Sequence, residues 1–106
     1  MGGIRSTATD MVKYVDANIG AAPAKLAKAM ALCREQTFTD GTMTVGMGWL
    51  IARPVGHEYY THTGATGGFA TYVAFDPVER FGVTVLCNRS QQANIGAEMM
   101  RFMYGL

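Results

Sequence analysis

Charged side chains are scarce in this chain, at 16% of 106 residues, against ~25% in an ordinary soluble domain. Nine Lys and Arg face eight Asp and Glu, a net charge of +1. With no basic cluster to neutralise phosphates, nucleic acid is not expected as a partner. Cysteine occurs only as Cys33 and Cys87. Two thiols so far apart build neither a zinc site nor a disulfide framework, so no metal is expected and both read as small buried hydrophobes. No apolar run nears the ~20 residues that cross a bilayer. Met1-Gly2-Gly3-Ile4-Arg5 is not followed by the apolar stretch of an export signal. The same opening with Ser6 fits a short acylation template, but no polybasic segment completes an anchor, so no membrane partner is expected. The glycines form neither G-x-G-x-x-G nor a Walker loop, and no cofactor is expected. Serine occurs only as Ser6 and Ser90. The third residues after them are Thr9 and Ala93, so there is no S-x-x-K pairing of nucleophile and base.

What is abundant is apolar: 49% of residues, which excludes a disordered chain. Ala8, Met11, Val12, Val15 and Ile19 recur at helical spacing from about Ser6, with Thr7 and Asp10 near a capping box and Gly20 as a stop. A second, Ala-rich helix is predicted from Pro23 to about Gln36. Asp40-Gly41 marks a bend. Val45, Met47, Trp49 and Ile51 alternate with smaller residues, which predicts one strand ending before Pro54. Further strands are predicted over Glu58–Thr63, Gly68–Phe75 and Phe81–Asn88. Phe69, Thr71, Val73 and Phe75 share one face of the third, and Val83-Thr84-Val85 suits a central position in the fourth. A final helix from Gln92 to Tyr104 is expected to turn Ala93, Ile95, Met99, Phe102 and Met103 inward. Short links between strands make the sheet antiparallel. The expected class is therefore α+β, about four strands with flanking helices.

Chemistry concentrates in Thr61-His62-Thr63-Gly64-Ala65-Thr66-Gly67-Gly68-Phe69, where a strand becomes a glycine-rich loop. Gly64 lets another backbone approach closely, so an extended substrate can pair there. His62 points to the same face and can titrate near neutral pH; Thr63 offers a hydroxyl on the opposite face or at the strand edge. Alone, such a histidine is more often an ordinary strand residue. His57 reads as a solvated turn residue. Trp49 and the tyrosines read as core or rim packing, and Met99, Met100 and Met103 as helix-face filling.

His62-Thr63-Gly64-Ala65-Thr66-Gly67-Gly68-Phe69, then Tyr72-Val73-Ala74-Phe75-Asp76-Pro77 and Gly82-Val83-Thr84-Val85-Leu86-Cys87-Asn88, resemble the C-terminal part of the serine β-lactamase family. Within it the likeness is greatest to class C β-lactamases, D,D-peptidases and esterases. Gly3-Ile4-Arg5-Ser6-Thr7-Ala8-Thr9-Asp10-Met11 and Gly46-Met47-Gly48-Trp49 match the same family in order.

The resemblance implies that residues 1–106 form a single partial domain, roughly the last third of a β-lactamase/transpeptidase-like fold. It also implies that His62, Thr63 and Gly64 line the substrate wall and that the Ala65 N–H is one of two oxyanion donors. His62 stands where class C enzymes usually carry Lys, which resembles certain peptidases and esterases instead. The family's S-x-x-K and Tyr-x-Asn motifs are absent. At the positions of the Asn and Arg that hold a substrate carboxylate stand Ala93 and Gly96, with Asn94 one residue out of register. The implied substrates are β-lactams, D-Ala peptides or esters, acted on only with a complementary N-terminal fragment. Family members usually work in the periplasm or outside the cell. In the parent fold the last strand is bordered by N-terminal strands. Here its edge over Phe81–Asn88 would be open, and a homo-oligomer joined at that edge is expected. The alternatives are a non-catalytic binding module using the exposed strand, and a small esterase relying on His62.

Overall fold

Thr7 opens the first helix by accepting the Asp10 N–H on its hydroxyl at 3.2 Å, which pairs one of the donors every helix start leaves free. Helix α1 (Ala8–Asp16) runs into one π-type turn (Ala17–Ala21). Gly20, at φ +128°, ends that turn, and Pro23 precedes α2 (Ala24–Arg34). The computed structural model describes residues 2–91 and 94–106. Among these follow six strands, β1 (Phe38–Thr39), β2 (Thr44–Val45), β3 (Leu50–Ala52), β4 (Tyr59–Thr66), β5 (Phe69–Asp76) and β6 (Phe81–Cys87), then helix α3 (Ile95–Met103).

The strands form one antiparallel sheet in chain order, β1-β2-β3-β4-β5-β6. The class is α+β as expected, but the strands number six rather than four. Two short strands come from regions with different signals. Asp40 accepts the Thr42 and Met43 N–H groups on Oδ1 at 2.8 and 2.7 Å, closing a hairpin that pairs β1 with β2. The single strand expected over Val45–Ala52 is broken at Gly46–Trp49, where the Gly46 N–H donates to Trp49 O at 2.9 Å. The Met47 N–H donates to Cys33 O at 2.9 Å and so occupies a free carbonyl at the end of α2. Gly46 permits this contact, because a Cβ there would lie 2.6 Å from that carbonyl oxygen. The alternation seen in sequence was partly the glycine spacing of this turn.

Strand β4 runs three residues further than expected, to Thr66. Gly67 and Gly68, at φ +57° and +83°, then supply the two left-handed residues of a tight primed turn.

The sheet lies between two helical layers. Gly82 faces Val15 of α1. On that side Val15, Trp49, Ile51, Tyr60 and Phe75 form one core cluster, with Ile19, Cys33 and Val73 against it. Trp49 meets Phe75 edge-on at 4.9 Å between ring centroids, a geometry favoured by the ring quadrupoles. On the other side Tyr72, Ala74 and Val83 pack against Met100 of α3. Phe69, Thr71, Val73 and Phe75 share a face as expected, but the more deeply buried row of β5 is Ala70, Tyr72 and Ala74 on the α3 side.

The inner face of α3 differs from expectation. Ile95, Met99, Phe102 and Met103 are exposed, and Gly96 and Met100 are buried. Apolar residues encircle this helix, so periodicity left the face undetermined. A Cβ on Gly96 would overlap the Tyr72 ring, and this close approach selects the face. Gln92 and Ala93, where the helix was expected to begin, lie outside the described residues.

Candidate functional site

Strand β4 is covered unequally by its neighbours. Strand β5 pairs with it from Tyr60 to Thr66, whereas β3 reaches only Tyr59, Tyr60 and Thr61. From His62 onward the β3-side edge has no partner strand among the described residues. His62, Thr63, Gly64, Ala65 and Thr66 are all exposed. The register sets their faces: His62 and Gly64 stand opposite Val73 and Thr71 on the α1–α2 side, and Thr63 and Ala65 stand opposite Tyr72 and Ala70 on the α3 side. The structure thus brings the four sequence-singled residues together on one accessible ribbon.

The His62 imidazole is held locally. Its Nδ1 lies 2.6 Å from Thr63 O. A carbonyl can only accept, so Nδ1 carries the proton and the neutral ring keeps its lone pair on Nε2. No serine or cysteine side chain is bonded to the ring among the described residues. His62 also borders a groove of about 500 Å³ between the sheet and the helices, lined by Tyr14, Leu26, Met30, Cys33, Met47 and Trp49. This is an apolar trough with one imidazole at its rim.

A second polar cluster, at the opposite end of β4, had no sequence signal. Arg53 Nε donates to Glu58 Oε2 at 2.7 Å, and the Tyr60 hydroxyl donates to Glu58 Oε1 at 2.7 Å. The Tyr60 hydrogen bond, then that of Arg53, holds the Glu58 carboxyl below its ordinary range. Burial, then the Glu58 hydrogen bond, pushes the Tyr60 phenol up to about 12. Asp76 accepts the Val78 and Glu79 N–H groups on Oδ1 at 2.8 and 2.9 Å and the Tyr104 hydroxyl on Oδ2 at 2.7 Å. His57 is no free solvated residue: its ring stacks on Tyr104 at 4.1 Å and its Nδ1 lies 3.6 Å from Glu79. These groups satisfy one another, which is the behaviour of a structural network. Among the described residues no group of three or more His, Cys, Asp or Glu side chains could hold a metal ion. None of the described helices is long and apolar enough to cross a membrane.

Comparison with known proteins gives a consistent likeness. The Beta-lactamase family model matches residues 1–103. A beta-lactamase of Yersinia enterocolitica is 28% identical over 124 residues, covering 83% of this chain and 32% of that protein. A beta-lactamase of Pseudomonas fluorescens is 28% identical over 123 residues, covering 83% and 34%. The chain therefore spans about a third of the length of these relatives. Among solved structures, a beta-lactamase/D-alanine carboxypeptidase from Pseudomonas syringae superposes with a TM-score of 0.81 at 22% identity, covering 94% of this chain and 37% of that one. The octameric penicillin-binding protein homologue from Pyrococcus abyssi gives a TM-score of 0.80 at 21% identity, covering 94% and 24%. These two likenesses are of fold.

Proposed function

Because the chain belongs to the beta-lactamase family of hydrolases, we propose that residues 1–106 act as the C-terminal portion of a serine hydrolase working on β-lactams, D-Ala peptides or esters. The observation that carries this reading is the exposed, one-sided ribbon His62–Thr66 in a sequence with no S-x-x-K. The ribbon supplies the wall, and another segment supplies the attacking group.

The chemistry divides as follows. An extended acyl group pairs along the open edge of β4, using backbone groups that β3 leaves free. Successive N–H groups of a strand point to alternate edges, and the Ala65 N–H takes the open one. There it is one of two donors aimed at the oxygen that becomes negative in the transition state. Losing such a donor costs ~3 kcal/mol in a protease of comparable chemistry. Gly64 keeps the approach clear of a side chain. His62, anchored through Nδ1, offers Nε2 to hold or exchange a proton with the substrate or with the incoming base.

Hydrolysis of nitrocefin and of p-nitrophenyl esters tests the division of labour. The chain alone should be inactive, and activity should appear on adding an N-terminal fragment that carries S-x-x-K. Activity of the chain alone, abolished by His62→Ala, would overturn this reading in favour of an independent esterase. We propose in addition that the chain self-associates through the outer edge of β6, which has no partner strand among the described residues. The octameric state of one structural neighbour supports self-association as a habit of the fold.

A further inference from the structure

Two side-chain hydrogen bonds fix which way the backbone of the ribbon faces. The Thr61 hydroxyl donates to Val73 O at 2.9 Å, so the Val73 carbonyl points from β5 towards β4. In an antiparallel pair such a residue exchanges both backbone bonds with its register partner, and the next residue turns both of its groups to the other edge. The partner of Val73 is His62, and the alternation makes Gly64 and Thr71 a second bonded pair. The Thr71 hydroxyl, 3.5 Å from Gly64 O, agrees with that direction. Thr63 and Ala65 therefore turn their N–H and C=O groups outward, to the edge that β3 leaves open beyond Thr61.

Of these two outward-facing residues, only Ala65 keeps both groups free among the described residues. His62 Nδ1 donates to Thr63 O at 2.6 Å, which lays the imidazole across the edge at Thr63. Resting on the hydrolase reading above, we propose that His62 is an edge cap. It limits docking on β4 to one residue, Ala65, and so selects acyl donors that present a single carbonyl with its adjacent N–H over an extended peptide.

A strand that pairs over two residues of an edge must bring an N–H to each outward carbonyl. At Thr63 that place is held by a ring whose bond is short for N–H···O, and an added strand has to displace it. The cap survives protonation. The neutral ring donates through Nδ1 and the imidazolium donates through the same atom, so a proton gained at Nε2 adds charge without opening the edge. Natural sheets blunt their exposed edges against unwanted pairing. A side chain folded onto its own strand does so here one residue pair at a time, and Ala65, with only a methyl group and with Gly64 before it, stays open.

Long-range proton–nitrogen NMR of the full chain at about pH 8, where a free imidazole is neutral, reads the bond directly. The His62 ring, assigned by its loss in His62→Ala, should carry its proton on Nδ1; a proton on Nε2 would overturn the cap. Docking is then followed at the Thr63 and Ala65 amide resonances with two probes at millimolar concentration, acetylalanine methylamide and acetyl-tetraalanine methylamide. In the wild type both should shift Ala65 and bind alike. In His62→Ala the longer probe should also shift Thr63 and bind about tenfold tighter than the shorter, the worth of one added pair of neutral hydrogen bonds. His62→Asn, which carries an amide N–H where Nδ1 stands, should bind the two alike again; if it behaves as His62→Ala does, the bond is not the guard and the cap is overturned. A wild type that already favours the longer probe, or a His62→Ala chain that does not, would overturn the cap and leave the hydrolase reading standing. If neither probe shifts Ala65 in any of these proteins, the ribbon is no docking site, and the hydrolase reading falls with the cap.

Discussion

Tyr104 donates its hydroxyl to Asp76 Oδ2 at 2.7 Å, stacks on His57 at 4.1 Å, and meets Phe81 edge-on at 5.0 Å. One side chain thus ties the end of α3 to the β5–β6 turn and to the loop before β4. Because Asp76 is only 1% exposed, Tyr104→Phe strands a buried carboxylate oxygen. The expected cost is about 1.5 to 3 kcal/mol, read as a lower urea midpoint with an unchanged slope. An unchanged midpoint would mean that the contact contributes nothing. The same burial makes the phenols report on alkaline unfolding. Tyr60 is pushed up to about 12, first by burial and then by Glu58, and Tyr72 to about 12, first by burial, both from an ordinary 10.0. A folded-state pKa raised above the unfolded one gives stability that is whole below the unfolded value and lost as pH rises through the folded one. Stability should therefore hold to about pH 10 and fall between about 10 and 12. Burial, then the Asp76 hydrogen bond, pushes the Tyr104 phenol up further still, so phenolate absorbance should show Tyr60, Tyr72 and Tyr104 ionising last, with Tyr60→Phe removing part of the late rise. Early ionisation of all five tyrosines would contradict the burial.

Element by element, legibility followed how local the physics was. The cap of α1, the Asp40 bend and the β4–β5–β6 meander are written in short-range signals and are legible in the sequence. The course of the candidate ribbon was legible because His62, Thr63, Gly64 and Ala65 are consecutive on one strand. The break at Gly46–Trp49 and the inner face of α3 depend on what packs against them, Cys33 O in one case and the Tyr72 ring in the other. No local pattern encodes those partners. Gly46→Ala tests the first: its Cβ would press on two backbone carbonyl oxygens, of Cys33 and Glu35, which cannot swing aside as a side chain can. It should lower stability by about 1 to 3 kcal/mol in chemical denaturation, and an unperturbed midpoint would show that the turn moves freely. At the ribbon, amide exchange reads the alternation of β4 directly. If the Ala65 N–H faces the open edge, Thr63 and Ala65 should exchange fast and Gly64 and Thr66 slowly, since β5 holds only one set. Protection of Ala65 would remove the proposed oxyanion donor while leaving the fold intact.

At the scale of the whole molecule, low charge and incomplete cover are one phenomenon. No residue of α2 is buried, and Leu26, Leu32, Phe38, Met47 and Phe102 are all at least 47% exposed. Apolar surface of this extent on so small a body is the signature of an interaction surface. Each core cluster is correspondingly small, five buried residues on one side of the sheet and four on the other. Such a chain gains much of its stability from whatever covers its flanks, and a partner that binds only the folded state raises the apparent stability by mass action. For self-association through β6, the melting temperature should rise with protein concentration in the wild type. The rise should vanish in Leu86→Lys, whose melting temperature should match the dilute limit of the wild type. A melting temperature independent of concentration in both proteins would mean that no second copy covers these flanks. The stabilising surface would then be sought along the helix–sheet groove beside His62, with the S-x-x-K fragment as the ligand that raises it.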